Sequence, residues 1–248
     1  MDTPFFRPSN IQIPALKSYN GELRVPGSKS ITNRVLLVSA LAAGTTRLHN
    51  LLKSDDTSYM GEALKSLGVH VEMSEDFTEA VIEGSGAPID AQTVLLEDGK
   101  NFAGLYLGNA GTAMRSLCAA LALGRGVFHL SGEERMKERP IRDLVDALRS
   151  LGADISYLET EGFPPVCINA HGLKGGSVSV RGNISSQYLT ALLICAPYAE
   201  SPLHIHVEGE LISAPYILLT LDVMKHFGIE VKHADLMDFY VPKGVYKT

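Results

Sequence analysis

Cysteine is scarce in this sequence: its 248 residues include three, Cys118, Cys167 and Cys195. Three scattered thiols are too few for the paired framework that stabilises disulfide-rich domains, so that class is excluded. Cys118 and Cys195 lie inside apolar segments, which predicts small core residues rather than a nucleophile or a metal ligand. A hydrophobic content of 45% is enough for a sizeable core, in one large domain or two small ones.

The sequence also lacks long apolar runs and an excess of positive charge. No apolar segment approaches the roughly 20 residues of a membrane-spanning helix, and the N-terminal stretch MDTPFFRPSN does not resemble a signal peptide. The formal net charge is −6, which argues against a surface built for nucleic acid. We therefore expect a cytoplasmic chain whose partners include neither a membrane nor nucleic acid.

What the sequence does contain is a pattern that occurs three times. The segments SLGVHV, SLGADI and HFGIEV each close an amphipathic helix, and their glycines, Gly68, Gly152 and Gly228, recur about every 80 residues. Glycine at this place predicts a left-handed C-cap, after which a short alternating strand follows. A repeat of this length favours a closed globular domain over an open solenoid.

Each repeat also contains a second helix that is apolar on almost every side: ITNRVLLVSALAAG, TAMRSLCAALALG and SSQYLTALLICAPYA. Such a helix is expected to be buried inside the domain. With the flanking strand candidates, each repeat reads β-α-β-α-β-β. We predict an α/β (α+β) fold with pseudo-threefold symmetry. Parallel buried helices starting near Ile31, Thr112 and Ser185 would lie at its centre, with the sheets outside.

The buried helices begin with unusually polar clusters, GSKSITNR, GNAGTAMR and GNISSQY. Serine, threonine and asparagine there can be explained as N-caps. Lys29, Arg34 and Arg115 cannot, because a cation at the mouth of an apolar helix is costly without a partner. Three helix N-termini brought together would attract an anion. A nucleotide-binding P-loop is not expected, because Ser28 separates Gly27 from Lys29.

A second cationic run, GEERMKERPIRDL, precedes the outer helix of the second repeat. It reads as a solvated charged face with internal ion pairs, or as an anion site. The anion reading rests on Pro140, expected in the first turn of that helix, which would hold Arg139 beside its N-terminus. In the third repeat the same place carries SAPYIL, where Ser213 and Tyr216 offer neutral hydrogen bonds to hydroxyls or a phosphate.

Five motifs in this order, VPGSKSITNR, LGNAGTAMR, GEERMKERPI, SSQYLTALL and SAPYILLTL, resemble the EPSP synthase family. The resemblance runs from about Val25 to the C-terminus. It implies a transferase of aromatic amino-acid biosynthesis, in the shikimate pathway, without a cofactor. The enzyme moves the enolpyruvyl group of phosphoenolpyruvate to the 5-hydroxyl of shikimate 3-phosphate. The family has two domains of three β-α-β-α-β-β units, so the implied partners are these two substrates and a second domain.

The resemblance also implies residue roles. Lys29 is expected to be catalytic and to lie between the substrates. The residues implied for shikimate 3-phosphate are Lys29, Ser30, Arg34, Ser185, Ser186, Gln187, Ser213 and Tyr216. Those implied for phosphoenolpyruvate are Lys29, Asn109, Gly111, Arg139 and Gln187. No metal site is implied.

Two departures from the family pattern shape the expectations. The chain carries three units where the family has six, so it is expected to bind substrate and to be inactive alone. Residues 27–248 would form the N-terminal domain, with units of about 27–105, 106–175 and 176–245, and residues 1–26 would cross to the second domain. Ser116 replaces the proline of glyphosate-sensitive members, which points to altered glyphosate inhibition. Its side chain is expected to point away from the ligands.

Three alternatives remain open from the sequence. The first is the related transferase that acts on UDP-N-acetylglucosamine, which uses a loop cysteine. The second is a non-catalytic anion-binding module. The third is a metal site formed by His204 and His206 in HIHVEGE, which lacks an evident third ligand.

Overall fold

The computed structural model of the chain describes residues 25–91 and 102–248, together with residues 10, 12, 15, 18 and 20–23. The expectation for residues 1–26 therefore falls largely outside the described residues. The helices are α1 (Lys29–Leu41), α2 (Asp55–Ser66), α3 (Gly111–Ala122), α4 (Glu134–Lys137), α5 (Arg142–Ser150), α6 (Ser186–Cys195) and α7 (Ala214–His226). The strands are β1 (Ala43–Leu48), β2 (His70–Met73), β3 (Ala80–Ser85), β4 (Phe102–Tyr106), β5 (Arg125–Ser131), β6 (Asp154–Tyr157), β7 (Val166–His171), β8 (Gly176–Arg181), β9 (Leu203–Glu208), β10 (Lys232–Ala234) and β11 (Asp238–Val241).

The strands form three sheets that share one topology. The second sheet has the order β4-β5-β7-β6 and the third β8-β9-β11-β10. In both, the first two strands are parallel and the remaining neighbours antiparallel. The first sheet, β1-β3-β2, repeats the antiparallel part of this order. The repetition confirms the three-unit α/β fold predicted from the sequence.

The second unit begins earlier than the sequence indicated. A boundary near residue 105 divides β4, whereas β4 pairs along its whole length with β5 and belongs to the second sheet. It precedes α3 as β8 precedes α6. The parallel strand and its buried helix therefore form one βαβ element, and the boundary lies upstream of Phe102.

C-terminal residues close the first sheet. Ala43 in β1 forms a parallel bridge with Lys247, and its N–H donates to the carbonyl of Tyr246 at 2.8 Å. This place beside β1 corresponds to that of β4 beside β5 and of β8 beside β9. Tyr246 is fully buried and its hydroxyl donates to the carbonyl of Ile194 at 2.9 Å. Backbone hydrogen bonds thus join the end of the third unit to the first sheet.

The helices α1, α3 and α6 are buried, as their all-round apolar character predicted. Leu37, Leu117 and Leu193 are completely inaccessible to solvent. Cys118 and Cys195 lie in the same helices and are buried too, in agreement with their expected place in the core. Burial raises the pKa of the Cys118 thiol to about 12, so it is neutral and poorly reactive at pH 7.

The outer helices α2 and α5 end as predicted, and α5 begins later than predicted. Gly68 and Gly152 follow their last turns with φ of +83° and +97°, the left-handed C-cap conformation. Pro140 was expected in the first turn of α5, which begins at Arg142 after Ile141 as the N-cap. Pro140 therefore lies before the helix, and its carbonyl is free to accept hydrogen bonds from side chains.

Buried apolar side chains from all three units form one continuous core. In the described part of the chain, no helix is both long and apolar enough to cross a membrane. The polar exceptions in this core include Arg34 and Arg115, each 4% exposed. Both lie in the first turns of buried helices, and they lead to the candidate site.

Candidate functional site

A cavity of about 350 Å³ lies where the N-terminal ends of α1, α3, α6 and α7 meet. Its walls are formed by Lys29, Ser30, Arg34, Thr112, Ser116, Ile184, Ser185, Ser186, Gln187, Thr190, Ile212, Ser213 and Tyr216. All eight residues that the resemblance implied for shikimate 3-phosphate line this one cavity. The fold therefore brings together side chains from the first and third repeats, with Thr112 and Ser116 added by the second.

The helix ends around the cavity are only partly capped by side chains. Ser28 and Ser185 cap α1 and α6, and each accepts a hydrogen bond from a first-turn N–H, at 3.4 and 3.2 Å. The residues before α3 and α7, Ala110 and Ser213, provide no side-chain cap. Uncapped N–H groups and the positive ends of helix dipoles favour a bound anion.

Arg34 is a buried cation in the wall of this cavity. Its Nε donates to Thr220 Oγ1 at 2.8 Å and its Nη2 to Thr190 Oγ1 at 3.0 Å. Its Nη1 donates to the carbonyl of Ser30 at 2.7 Å. Burial lowers the pKa of Arg34 to about 10, so the guanidinium is charged at pH 7. These partners are neutral, and among the described residues no carboxylate forms an ion pair with Arg34.

Arg115 repeats this arrangement in the second unit. Its Nη1 donates to the carbonyl of Gly111 at 3.2 Å, and its Nη2 donates to the carbonyl of Pro140 at 2.8 Å. The Tyr188 hydroxyl donates to the same Pro140 carbonyl at 2.7 Å. Burial lowers the pKa of Arg115 to about 10 as well. In the described part of the chain this arginine, too, lacks a carboxylate partner.

A second cavity of about 330 Å³ adjoins the first. Ile184, Ser185 and Gln187 line both, so a group held in one lies close to a group held in the other. Two arginines, Arg115 and Arg139, contribute to its walls without a carboxylate partner among the described residues. Both cavities are therefore basic, and they share a neutral hydrogen-bonding wall.

Arg139 is held against the start of α3. Its Nη1 donates to the backbone carbonyl of Asn109 at 2.8 Å and to the Asn109 side-chain oxygen at 3.1 Å. A β-carbon at Gly111 would lie 2.2 Å from Nη2 of Arg139, so only glycine permits this contact. Asn109 and Gly111 thus contact Arg139 and are in the wall of neither cavity. Lys29 lines the first cavity, and Gln187 borders both.

Two threonines that bond to Arg34 were not predicted from the sequence. Thr190 and Thr220 are buried, and each lies four positions after a recognised site residue, Ser186 and Tyr216. Residues at i and i+4 share one face of a helix, as Ser30 and Arg34 do on α1. Polar residues at this spacing inside apolar helices could therefore have predicted the threonines that bond to Arg34.

The position of the Ser116 side chain also differs from the prediction. It was expected to point away from the ligands, whereas it lies in the cavity wall with Thr112, which is four positions earlier on the same face of α3. Its exposed fraction is 4%, so only a small part of its surface borders the cavity.

His204 and His206, the metal candidates, are both engaged with Asp238. Nε2 of His204 and Nδ1 of His206 each lie 2.9 Å from the same carboxylate oxygen. These hydrogen bonds lower the pKa of Asp238. Within residues 25–91 and 102–248, no group of three or more histidine, cysteine, aspartate or glutamate side chains is arranged to hold a metal ion.

Comparison with known structures supports the fold. EPSP synthase from Acinetobacter baumannii superposes with a TM-score of 0.80 at 26% identity, over 95% of this chain and 50% of that one. An enolpyruvyl transferase from Streptomyces tendae shares the fold with a TM-score of 0.65 at 17% identity, over 91% of this chain and 49% of that one.

Sequence relatives are closer. The 3-phosphoshikimate 1-carboxyvinyltransferase of Sulfurovum sp. (strain NBC37-1) is 53% identical over 95% of this chain and 53% of the relative. The enzyme of the same name from Vibrio vulnificus (strain YJ016) is 54% identical over 95% of this chain and 53% of the relative. The chain thus spans about half the length of these curated relatives. Residues 13–246 match the family profile of EPSP synthase (3-phosphoshikimate 1-carboxyvinyltransferase), and the chain belongs to that family, as its motifs predicted.

Proposed function

We propose that this chain is the N-terminal half of an enzyme that transfers the enolpyruvyl group of phosphoenolpyruvate to the 5-hydroxyl of shikimate 3-phosphate and releases phosphate. The observation that carries the proposal is Arg34, a buried cation in a cavity wall without a carboxylate partner among the described residues. A phosphate supplies the missing charge. The hydroxyls of Ser186 and Tyr216 suit the polar groups of the shikimate ring.

Phosphoenolpyruvate is assigned to the second cavity, where Arg115 and Arg139 offer positive charge. Lys29 and Gln187 would then act where the two substrates meet. In the reaction the 5-hydroxyl gives its proton to a base and its oxygen bonds to C2 of phosphoenolpyruvate, while C3 takes up a proton from an acid. Loss of phosphate from C2 and of a proton from the new methyl group then re-forms the C2–C3 double bond and gives the enol ether. Fixed cations and helix ends stabilise the charge that shifts during these steps.

We propose further that residues 27–248 form one domain and that the chain binds without turnover. Among the described residues, the wall of the first cavity carries no aspartate or glutamate, and the one carboxylate in the wall of the second, Glu138, is paired with Arg135. Proton transfer needs a positioned acid and base. These groups would come from a second domain, reached through residues 1–26, whose closure would exclude water. That domain would also complete a site for glyphosate.

The alternative substrate UDP-N-acetylglucosamine is not favoured by the cysteines. Cys118 and Cys195 are buried in the core, and Cys167 lies in β7 of the second sheet, away from the cavity wall. All three are free thiols, which agrees with a reducing compartment, and we place the enzyme in the cytoplasm.

The proposal is tested by calorimetric titration of the chain with shikimate 3-phosphate, and with UDP-N-acetylglucosamine as the control ligand. We expect saturable heat with the first and none with the second. The reverse result would overturn the substrate assignment. Phosphate release from phosphoenolpyruvate, with and without shikimate 3-phosphate, is expected to stay at the background rate. Turnover at ordinary enzyme rates would show that the acid and base lie in this chain.

A further inference from the structure

We propose that Asp56 is the resting counter-ion of Lys29: it positions the ammonium at the first cavity and competes for it with the phosphate of the incoming ligand. The inference rests on the proposed function, because it gives Lys29 an anionic ligand. Asp56 did not emerge from the sequence analysis, and it lies outside the wall of the cavity.

The ion pair distinguishes Lys29 from the other cation of this cavity. Nζ of Lys29 lies 3.3 Å from Oδ1 of Asp56, with side-chain exposures of 47% and 25%. Arg34, in contrast, is bonded to neutral oxygens. Within the described residues, Lys29 is therefore the one cation lining the first cavity whose charge is already matched by a carboxylate.

Asp56 is rigidly placed because the start of α2 is fixed by side-chain hydrogen bonds. Ser54 caps the helix by accepting from the N–H of Thr57 at 3.4 Å, and the Ser54 N–H donates to Thr57 Oγ1 at 3.0 Å. This reciprocal capping box orders the first helical turn. The Thr57 hydroxyl donates to the carbonyl of Leu52 at 2.7 Å, which anchors the loop before the helix.

The same loop is attached to the start of α1, which carries Lys29. The N–H of Leu52 donates to Oγ1 of Thr32 at 3.0 Å. A β-carbon at Gly27 would lie 2.2 Å from the carbonyl oxygen of Asn50, so the backbone before α1 runs directly against the loop. These two contacts fix the distance between the first turns of α1 and α2, and with it the distance between Lys29 and Asp56.

An ammonium has three N–H donors, so Lys29 can contact Asp56 and still offer two donors to a phosphate. The carboxylate nevertheless repels the phosphate and neutralises part of the charge that attracts it. A partly exposed ion pair of this kind corresponds to a factor of about 2 to 5 in an equilibrium constant. Removing the charge of Asp56 should therefore tighten anion binding by about that factor.

The test compares Asp56→Asn with Asp55→Asn in the 248-residue chain. Both residues lie in the first turn of α2, so each substitution removes the same favourable charge–dipole interaction. Only Asp56 pairs with Lys29. By calorimetry at low ionic strength, Asp56→Asn should bind shikimate 3-phosphate about 2- to 5-fold more tightly, and Asp55→Asn should match the unaltered chain.

A third variant separates a charge effect on Lys29 from a structural effect. In a Lys29→Met background, Asp56→Asn should no longer change the affinity. In the original background the gain in affinity should shrink in 0.5 M salt, because the Debye length there lies between about 3 and 10 Å. Unchanged or weaker binding by Asp56→Asn overturns the inference, and so does a gain that persists without Lys29. Absence of binding by the unaltered chain overturns the proposed function and this inference with it.

Discussion

Two sets of arginines among the described residues differ in how their charges are neutralised. Four at the surface have carboxylate partners: Arg135 pairs with Glu138, Arg142 with Glu161, Arg149 with Asp146 and Arg181 with Asp143. The two that lie in buried helices, Arg34 and Arg115, donate to hydroxyls, backbone carbonyls and a thioether. In these two sets, the charges that are more costly to bury are the ones without a carboxylate partner among the described residues.

The difference has a physical meaning. An exposed ion pair adds little stability, because water and salt already screen each charge. A buried charge loses its hydration, and at a helix N-terminus the dipole of the helix opposes a cation further. Arg34 and Arg115 combine both penalties, as 4% exposed side chains in the first two turns of α1 and α3. An anion bound beside them would remove both.

The largest effect is expected from Arg34→Ala. Loss of a desolvated partner of the phosphate should weaken binding of shikimate 3-phosphate by about 2–5 kcal/mol, measured by calorimetry. Substitution of a surface arginine by alanine, as in Arg142→Ala, is a direct comparison, because both variants remove one guanidinium. An unaltered dissociation constant would refute the phosphate site.

Arg34 also bonds to Thr190 and Thr220, so the variant must be shown to fold. Arg34→Lys provides that control, since it keeps the charge and loses the fork of donors. Its circular dichroism should match that of the unaltered chain, and its affinity should lie between those of the unaltered chain and Arg34→Ala.

The second prediction is that Arg115→Met stabilises the chain. The carbonyl of Pro140 keeps the Tyr188 hydroxyl as its donor, and that of Gly111 lies in the first turn of α3, where a helical N–H serves it. The substitution therefore leaves no acceptor unpaired and removes a buried charge. We expect the free energy of unfolding, measured in denaturant, to rise by about 1 kcal/mol.

Phosphoenolpyruvate affinity should fall in the same Arg115→Met variant, which would identify the residue as one retained for function at the expense of stability. Arg142→Met is the surface control, because Arg142 and its partner Glu161 are both exposed. A loss of stability in Arg115→Met would instead show that this guanidinium holds the second unit together.

The sequence predicted the elements of the site because its signals are local. A helix apolar on every side is recognised from its own residues, and its polar start is visible in the same ten positions. The family resemblance then implied that Ser30, Ser186 and Tyr216 meet, although they lie far apart in the chain. Thr190 and Thr220 could have been found from local spacing, because each lies four positions after one of these site residues.

What the sequence could not supply are pairings between distant segments. Asp56 is adjacent to Lys29 because a loop attaches α2 to α1, and no periodicity encodes that distance. The bridge between Ala43 and Lys247 joins opposite ends of the described chain. The late start of α5 follows from the connection between α4 and α5, in which the Pro140 carbonyl accepts hydrogen bonds from Arg115 and Tyr188.

A smaller effect is expected at Ser116, which borders the cavity inside α3. Proline there lacks the N–H that a helix donates to the residue four positions earlier, so it would release the carbonyl of Thr112 and fix the local φ. In a full-length enzyme carrying this chain, Ser116→Pro should tighten glyphosate inhibition modestly by restoring the first turn that the family pattern has. Ser116→Ala retains the N–H and serves as control. Equal inhibition of the proline and serine forms would show that the position is silent.

The smallest effect should come from Arg142→Ala, which completes the comparison with Arg34. Arg142 donates to Glu161 at 2.7 Å, and both side chains are exposed, by 47% and 70%. Because water replaces Arg142 as the partner of Glu161 with little change in free energy, neither the unfolding midpoint nor the affinity for shikimate 3-phosphate should move measurably. The residue comes from the cationic run whose sequence allowed either a solvated face or an anion site. If Arg142→Ala weakened binding as much as Arg34→Ala, a carboxylate partner would no longer indicate that an arginine lies outside the ligand site, and the start of α5 would have to be included in the site.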